Sequence, residues 1–166
     1  SIDNYKPIYA NGIFSFDGIN DEMLTDSFDL NYPVFIMAVL SQEDFNTWDR
    51  LFDGYNYNSM SLQQIGTQYQ LRIYGGAGVG SDIKTNLPLS EFGIIQSLFN
   101  GADSSIKVNN NDVIQGNCGN NNNVGGFRIG VQAYPVKQKV KEYILFNAYP
   151  SERNRVDIYN YLAIKY

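Results

Sequence analysis

The chain has 166 residues, a formal net charge of -5 and no histidine, and its polar character rests on asparagine, glycine, serine and glutamine together with 13 tyrosines. That length suits a single domain, residues 1–166, burying about two thirds of its unfolded surface without metal or disulfide staples, and the composition is that of a β-rich binding or structural protein. The acidic balance excludes a nucleic-acid partner, which needs clustered Lys and Arg; one cysteine excludes an intrachain disulfide; and no apolar run reaches membrane-spanning length, so no membrane insertion is expected.

The first strand pattern is "GIFSFDG", where Ile13, Ser15 and Asp17 alternate with Phe14 and Phe16 before the turn "DGIND". "PVFIMAVL" follows; it is apolar on both faces, so both must be covered. "RLFDGYNYNSMSLQQIG" breaks at "DGYNYN" in the manner of a hairpin, and "YQLRIYGG" alternates again through Leu71 and Ile73. Strands recurring at roughly ten-residue spacing are the mark of a two-sheet sandwich. The run "YGGAGVG" has G-x-G-x-G spacing, but "SDIKTNLP" after it offers no helix to receive a phosphate, so these glycines read as a loop or a close approach of backbone.

In "FGIIQSLFNGADSSIKVNN", "NGAD" joins two strand patterns, and Ile106 and Val108 share a face of the second. The asparagine-rich stretch from Asn109 to Asn123 holds Cys118, which reads as a loop thiol with no histidine to activate it. "GGFRIGVQ" and "VKEYILFNAY" supply further strands, with Lys137, Lys139 and Lys141 at period two on one face, read as a solvated face or a guarded edge. The chain closes on a helix: Ser151 stands as N-cap after Pro150, Glu152 suits the positive helix end, and Val156, Tyr159 and Leu162 recur at helical spacing. None of the 20 asparagines stands in an Asn-x-Ser/Thr acceptor, which favours a bacterial or viral source.

The order "FSFDGIND", "FIMAVL", "RLFDG", "IIQSLFNGADSSIKVN", "GGFRIG" and "KEYILFNAYPSERNRVDIYNYLAIKY" resembles the concanavalin A-like lectin/glucanase superfamily over nearly the whole chain, in the laminin-G-like branch of bacterial secreted and phage structural proteins. The resemblance implies an all-β fold, a two-sheet antiparallel jelly-roll sandwich with a short C-terminal α-helix laid over exposed sheet surface. The expected core is Phe14, Phe16, Phe35, Met37, Val39, Leu98, Ile106, Val108, Ile129, Ile144 and Phe146. It implies an extracellular, cell-surface or virion location and a module of a longer protein. Domains of that branch begin with a further strand region ahead of the segment like "YKPIYANGIFSFDG", so Ser1 is expected to be an internal boundary, or the sheet edge to be closed by another chain or a rearranged local strand.

Glycoside hydrolases of the superfamily carry a strand-borne Glu-x-Asp-x-Glu run, and its lyases recruit His with Tyr. Here acids crowd only in "NDEMLTD" and "SQEDFNTWD", which read as turns, so the expected function is non-catalytic: a carbohydrate-binding, lectin-like or adhesion module. The alternative is a purely structural virion or cell-surface domain, a phage decoration, fibre or tail protein contacting other protein subunits of a larger assembly. A glycan partner requires flat aromatic faces and planar polar groups. Trp48, Tyr55 and Tyr57, near turn-like segments, and the amides of Asn56, Asn58, Asn121 and Asn122 are the candidates, against a reading in which Trp48 is core. A calcium site drawn from Asp17, Asp21, Asp26 and Asp103 is the expected cofactor site, against a reading in which Asp17 and Asp21 bond their own turn.

Overall fold

The structure, a computed structural model, describes residues 6–56, 59–67, 69–76, 83–120, 124–131 and 133–166. Among these residues one sheet runs in the order β1 (Ile8–Ala10), β2 (Ile13–Asp17), β13 (Lys137–Phe146), β4 (Val34–Gln42), β9 (Gly93–Phe99), β10 (Ser104–Val108), β11 (Ile114–Gly116). The other runs β3 (Met23–Leu24), β12 (Phe127–Ile129), β5 (Arg50–Gly54), β6 (Ser61–Gln64), β7 (Gln70–Tyr74), β8 (Lys84–Asn86). All pairings are antiparallel, and the fold is a jelly-roll sandwich closed by the helix α1 (Glu152–Lys165).

The organising element is β4, buried at all nine positions. Its alternate residues Val34, Ile36, Ala38 and Leu40 enter the core between the sheets, against Phe52, Leu62, Ile73 and Phe99. The intervening Phe35, Met37 and Val39 point the other way, where Leu162, Ile158 and Tyr159 of α1 pack with them, Ile94 and Leu98. The expected single core therefore divides. Phe16, Ile106 and Val108 are buried between the sheets with Phe14 and Ile129 packed beside them; Phe35, Met37, Val39, Leu98, Ile144 and Phe146 belong to the layer under the helix. Alternation shows that a strand has two buried faces without showing what covers each.

The helix starts as expected, with Ser151 Oγ accepting from the Asn154 N–H at 3.3 Å. Its apolar stripe differs: Ile158, Tyr159 and Leu162 face the sheet, whereas Val156 is half exposed beside it. The edge of β2 is closed by the chain's own β1, Tyr9 pairing with Phe14, so a local strand serves where the family comparison puts an extra region.

The lysine face of β13 is tied in more than solvated. Lys139 Nζ meets Glu43 Oε2 at 2.9 Å, and Lys141, at a bulge between Val140 and Glu142, places its ammonium 4.1 Å from the Phe92 ring centroid. Cys118 lies in a loop, as expected, but is buried in the core, 3.0 Å from Ser104 Oγ, and burial pushes its pKa up. Its carbonyl accepts from the Gly75 N–H, and a Cβ on Gly75 would stand 2.6 Å from Tyr32 Oη and 2.7 Å from Cys118 Sγ. The glycine run thus opens on a close backbone approach, while residues 77–80 lie outside the described residues.

Leu162 is fully buried and Ile164, two residues on, is 87% exposed. Leu162→Ala is expected to cost about 3 kcal/mol in urea unfolding, through lost burial and the cavity left under the helix. Ile164→Ala should stay within about 0.5 kcal/mol of wild type; equal effects would show that α1 does not cover the sheet as described.

Candidate binding face

Because side chains alternate along a strand, the residues between core positions on β5, β6, β7 and β12 project from the outer side of their sheet. Register aligns them across strands: Arg50 opposes Gln63, Gln63 opposes Arg72, and Arg72 opposes Lys84. Farther along, Arg128 lies between Leu24 and Asp53, and Ser61 opposes Tyr74. Three of the chain's five arginines therefore share one face of one sheet.

The floor of this face is bonded together. Arg50 Nη1 pairs with Asp53 Oδ2, both side chains almost fully buried, and Asp53 Oδ1 accepts from the Gly54 N–H at 2.8 Å. Arg72 Nη2 donates to Gln63 Oε1 at 2.8 Å, and Gln63 Nε2 donates to Ser61 Oγ at 2.7 Å. Arg128 meets Glu22 at 3.3 Å and donates from Nη2 to the Tyr55 carbonyl at 2.8 Å. Each guanidinium also faces a ring: Arg50 over Tyr134 at 4.5 Å, Arg72 over Trp48 at 4.9 Å and Tyr74 at 5.5 Å, Arg128 over Tyr55 at 5.8 Å. Cation–π contact and shared hydrogen bonds hold these planar groups in place.

Trp48 is not core. It is 50% exposed, and its backbone sits at φ 84 with its N–H donating to the Gln64 carbonyl at 2.8 Å. Tyr69 is held in the same way, 43% exposed at φ 78, at the turn between β6 and β7, the same end of the sheet. The sequence reading missed Tyr69, because nothing in "GTQYQ" marks a left-handed tyrosine. Tyr55 stands past the opposite end of β5 from Trp48, about 20 Å away by strand rise, so these two aromatics do not make one cluster. Asn56 is exposed beside Tyr55, its N–H donating to the Val124 carbonyl at 3.0 Å. Tyr57, Asn58, Asn121 and Asn122 lie outside the described residues.

The aspartates expected to bind calcium are not brought together. Asp21 Oδ2 accepts from the Asp17 N–H and Asp17 Oδ1 from the Ile19 N–H, each at 2.8 Å, so these two bond their own turn. Asp26 follows β3 and Asp103 lies in a short 3-10 turn, Gly101–Asp103, before β10 on the other sheet. Among the described residues no group of three or more His, Cys, Asp or Glu side chains is arranged to hold a metal ion.

No protein-family model and no curated protein matches the sequence. Solved structures match the fold. The Trypanosoma rangeli sialidase in complex with sialic acid aligns at 13% identity and a TM-score of 0.71, over 92% of this chain and 28% of that one. The same sialidase in complex with 2,3-difluoro-KDN aligns at 14% identity and 0.67, over 87% and 26%. A structure concerned with botulinum neurotoxin type C, whose cell entry depends on interaction with two ganglioside molecules, aligns at 10% and 0.64, over 95% and 44%. At these identities the likeness is one of fold, and the chain spans less than a third of the sialidases and less than half of the toxin chain. The expectation of a non-catalytic domain is corrected by these matches: the sandwich occurs within sialidases, so a missing Glu-x-Asp-x-Glu run and missing histidine do not exclude an enzyme.

Beside Trp48, burial pushes the Asp49 carboxyl up to about 6, opposed by a hydrogen bond from Asn46 and aided by the charge of Asp44. An unfolded Asp titrates near 4, so between about pH 4 and about 6 the folded chain holds more protons, and stability falls as pH rises through that window. Asp49→Asn is expected to be more stable than wild type at pH 7 and to show a smaller loss between pH 4 and pH 7 in urea unfolding. Equal pH profiles would remove the burial effect.

Proposed function

We propose that the chain binds carbohydrate at the Trp48 end of the outer face formed by β5, β6 and β7. The observation that carries this reading is the backbone of Trp48. A bulky residue at φ 84 is strained, at a cost on the order of 1 kcal/mol or more, in a conformation that glycine adopts freely. The strain does not serve the core, because half of the indole is open to solvent. Arg72 lies against the ring and fixes its orientation, and Tyr69 offers a second open aromatic at the same end. Open rings held rigidly beside planar polar groups are what the stacking of a sugar ring requires. The sialic acid and ganglioside named for proteins that share the sandwich support a glycan as the ligand class.

A glycan array with wild type and Trp48→Gly tests the reading, with release of free sugar followed in the same samples to show cleavage of any bound glycan. Glycine removes the ring and relieves the strain, so Trp48→Gly is expected to lose binding while its melting temperature stays at or above that of Trp48→Ala. Undiminished binding by Trp48→Gly would remove the assignment.

A further inference from the structure

The outer face of the seven-stranded sheet changes character along its own registered rows. One row runs Ile144, Met37, Gln96, Lys107; the next runs Phe146, Phe35, Leu98, Ser105, Gln115. Both are apolar on β13 and β4 and polar by β10. Helix α1 covers the apolar part, its Leu162 closing over Met37 and Phe35, and leaves the polar margin open. Between the flank of the helix and that margin lies a cleft in two compartments, of about 410 Å³ and about 270 Å³, joined through Gln96, Lys107, Val113, Glu152 and Arg155. Its size falls within the range of small-ligand sites.

We infer that this cleft is a second ligand site, remote from Trp48, and that it takes an acidic sugar. Lys107 from the sheet and Arg155 from the helix both face it, against a single acid, Glu152, so the lining is cationic on a chain of net charge -5. Arg155 is held in place: its Nη1 donates to Tyr149 Oη, and its guanidinium lies 4.3 Å from the Tyr149 ring centroid. Its Nε is buried without a hydrogen-bond partner, and Lys107 has no ion-pair partner among the described residues. Two cations from facing elements suit one carboxylate, and charge-assisted bonds of this kind are the strong ones. The amides of Gln96, Asn110 and Asn160 line the larger compartment and match ring hydroxyls. Val113 and Val156, each half exposed, and the Tyr159 ring give the apolar surface on which the C–H face of a pyranose rests. A neutral sugar would use the amides and the apolar wall but leave both cations unmatched.

The test is an NMR titration of the ¹⁵N-labelled chain with D-glucuronate, D-galacturonate and N-acetylneuraminate, with D-glucose as the neutral reference. At least one acidic sugar is expected to shift the amides of Gln96, Lys107 and Arg155, and to bind about tenfold or more tightly than glucose. Lys107→Glu should weaken that binding by about tenfold or more, as loss of a charge-assisted bond requires, and Lys107→Gln by less. Lys107 sits on the surface-facing side of β10, so both variants are expected to keep the wild-type melting temperature; if Lys107→Glu does not fold, Lys107→Gln still reads the loss. Three results would overturn the inference: no shift in the cleft with any acidic sugar, glucose binding as well as the acids, or undiminished binding by both variants. Shifts confined to Trp48 and Tyr69 would also overturn it while leaving the proposed function standing.

Discussion

The fold depends on one strand being apolar on both faces. β4 has no residue that tolerates water, from Val34 through Leu40, so the sheet containing it must be covered twice. The six-stranded sheet covers one side, and α1 is the cheapest cover for the other: a single turn of chain after β13 brings Leu162, Ile158 and Tyr159 onto Phe35, Met37 and Val39. The helix alone would be marginal at fourteen residues, so its stability derives from this contact more than from helix propensity. Lys165, paired with Glu142 at 2.8 Å, adds an exposed tie at the last turn, of small energetic weight.

That division of labour decides which sheet surface the helix leaves uncovered. The seven-stranded sheet spends most of its outer face on the helix and keeps a polar margin on β9, β10 and β11. Among the described residues no helix lies over the six-stranded sheet, and its outer positions carry the buried Arg50, Asp53 and Gln63 with the half-buried Arg72 and Arg128. The Arg50–Asp53 pair is almost fully buried, and a buried pair is weak evidence for stability, since an apolar replacement is often as stable. Its contribution here is rigidity: with the Gln63 and Ser61 bonds it fixes the buried outer positions of the sheet beneath Arg72, which lies against Trp48.

Much of the fold was legible in the residues. Unbroken apolarity in "PVFIMAVL" required two covers, "NGAD" turned a hairpin, and Ser151 with Leu162 marked a helix that packs. The site was less legible, because it depends on which strands are neighbours. Arg128 reaches Asp53 through a pairing between β12 and β5 that joins segments far apart in the chain, and no local pattern encodes it. Trp48 and Tyr55 looked close in sequence, yet five strand residues between them carry them to opposite ends of the sheet. The aspartates are set apart for the same reason: Asp17 and Asp21 satisfy a local turn at β2, whereas Asp103 precedes β10, on the far side of the seven-stranded sheet. For Cys118, "GNCGNNNN" marked the loop but not its burial, which depends on Gly75, whose missing Cβ lets the loop pass into the core.

In the proposed function, the strained aromatic end of the six-stranded sheet receives a sugar ring. A crystal structure of the chain with the oligosaccharide it binds most tightly addresses this directly. The expected result is a pyranose ring stacked on the open face of Trp48, with Tyr69 within contact distance. An oligosaccharide seated away from both residues, with Trp48 still solvent-exposed, would contradict it.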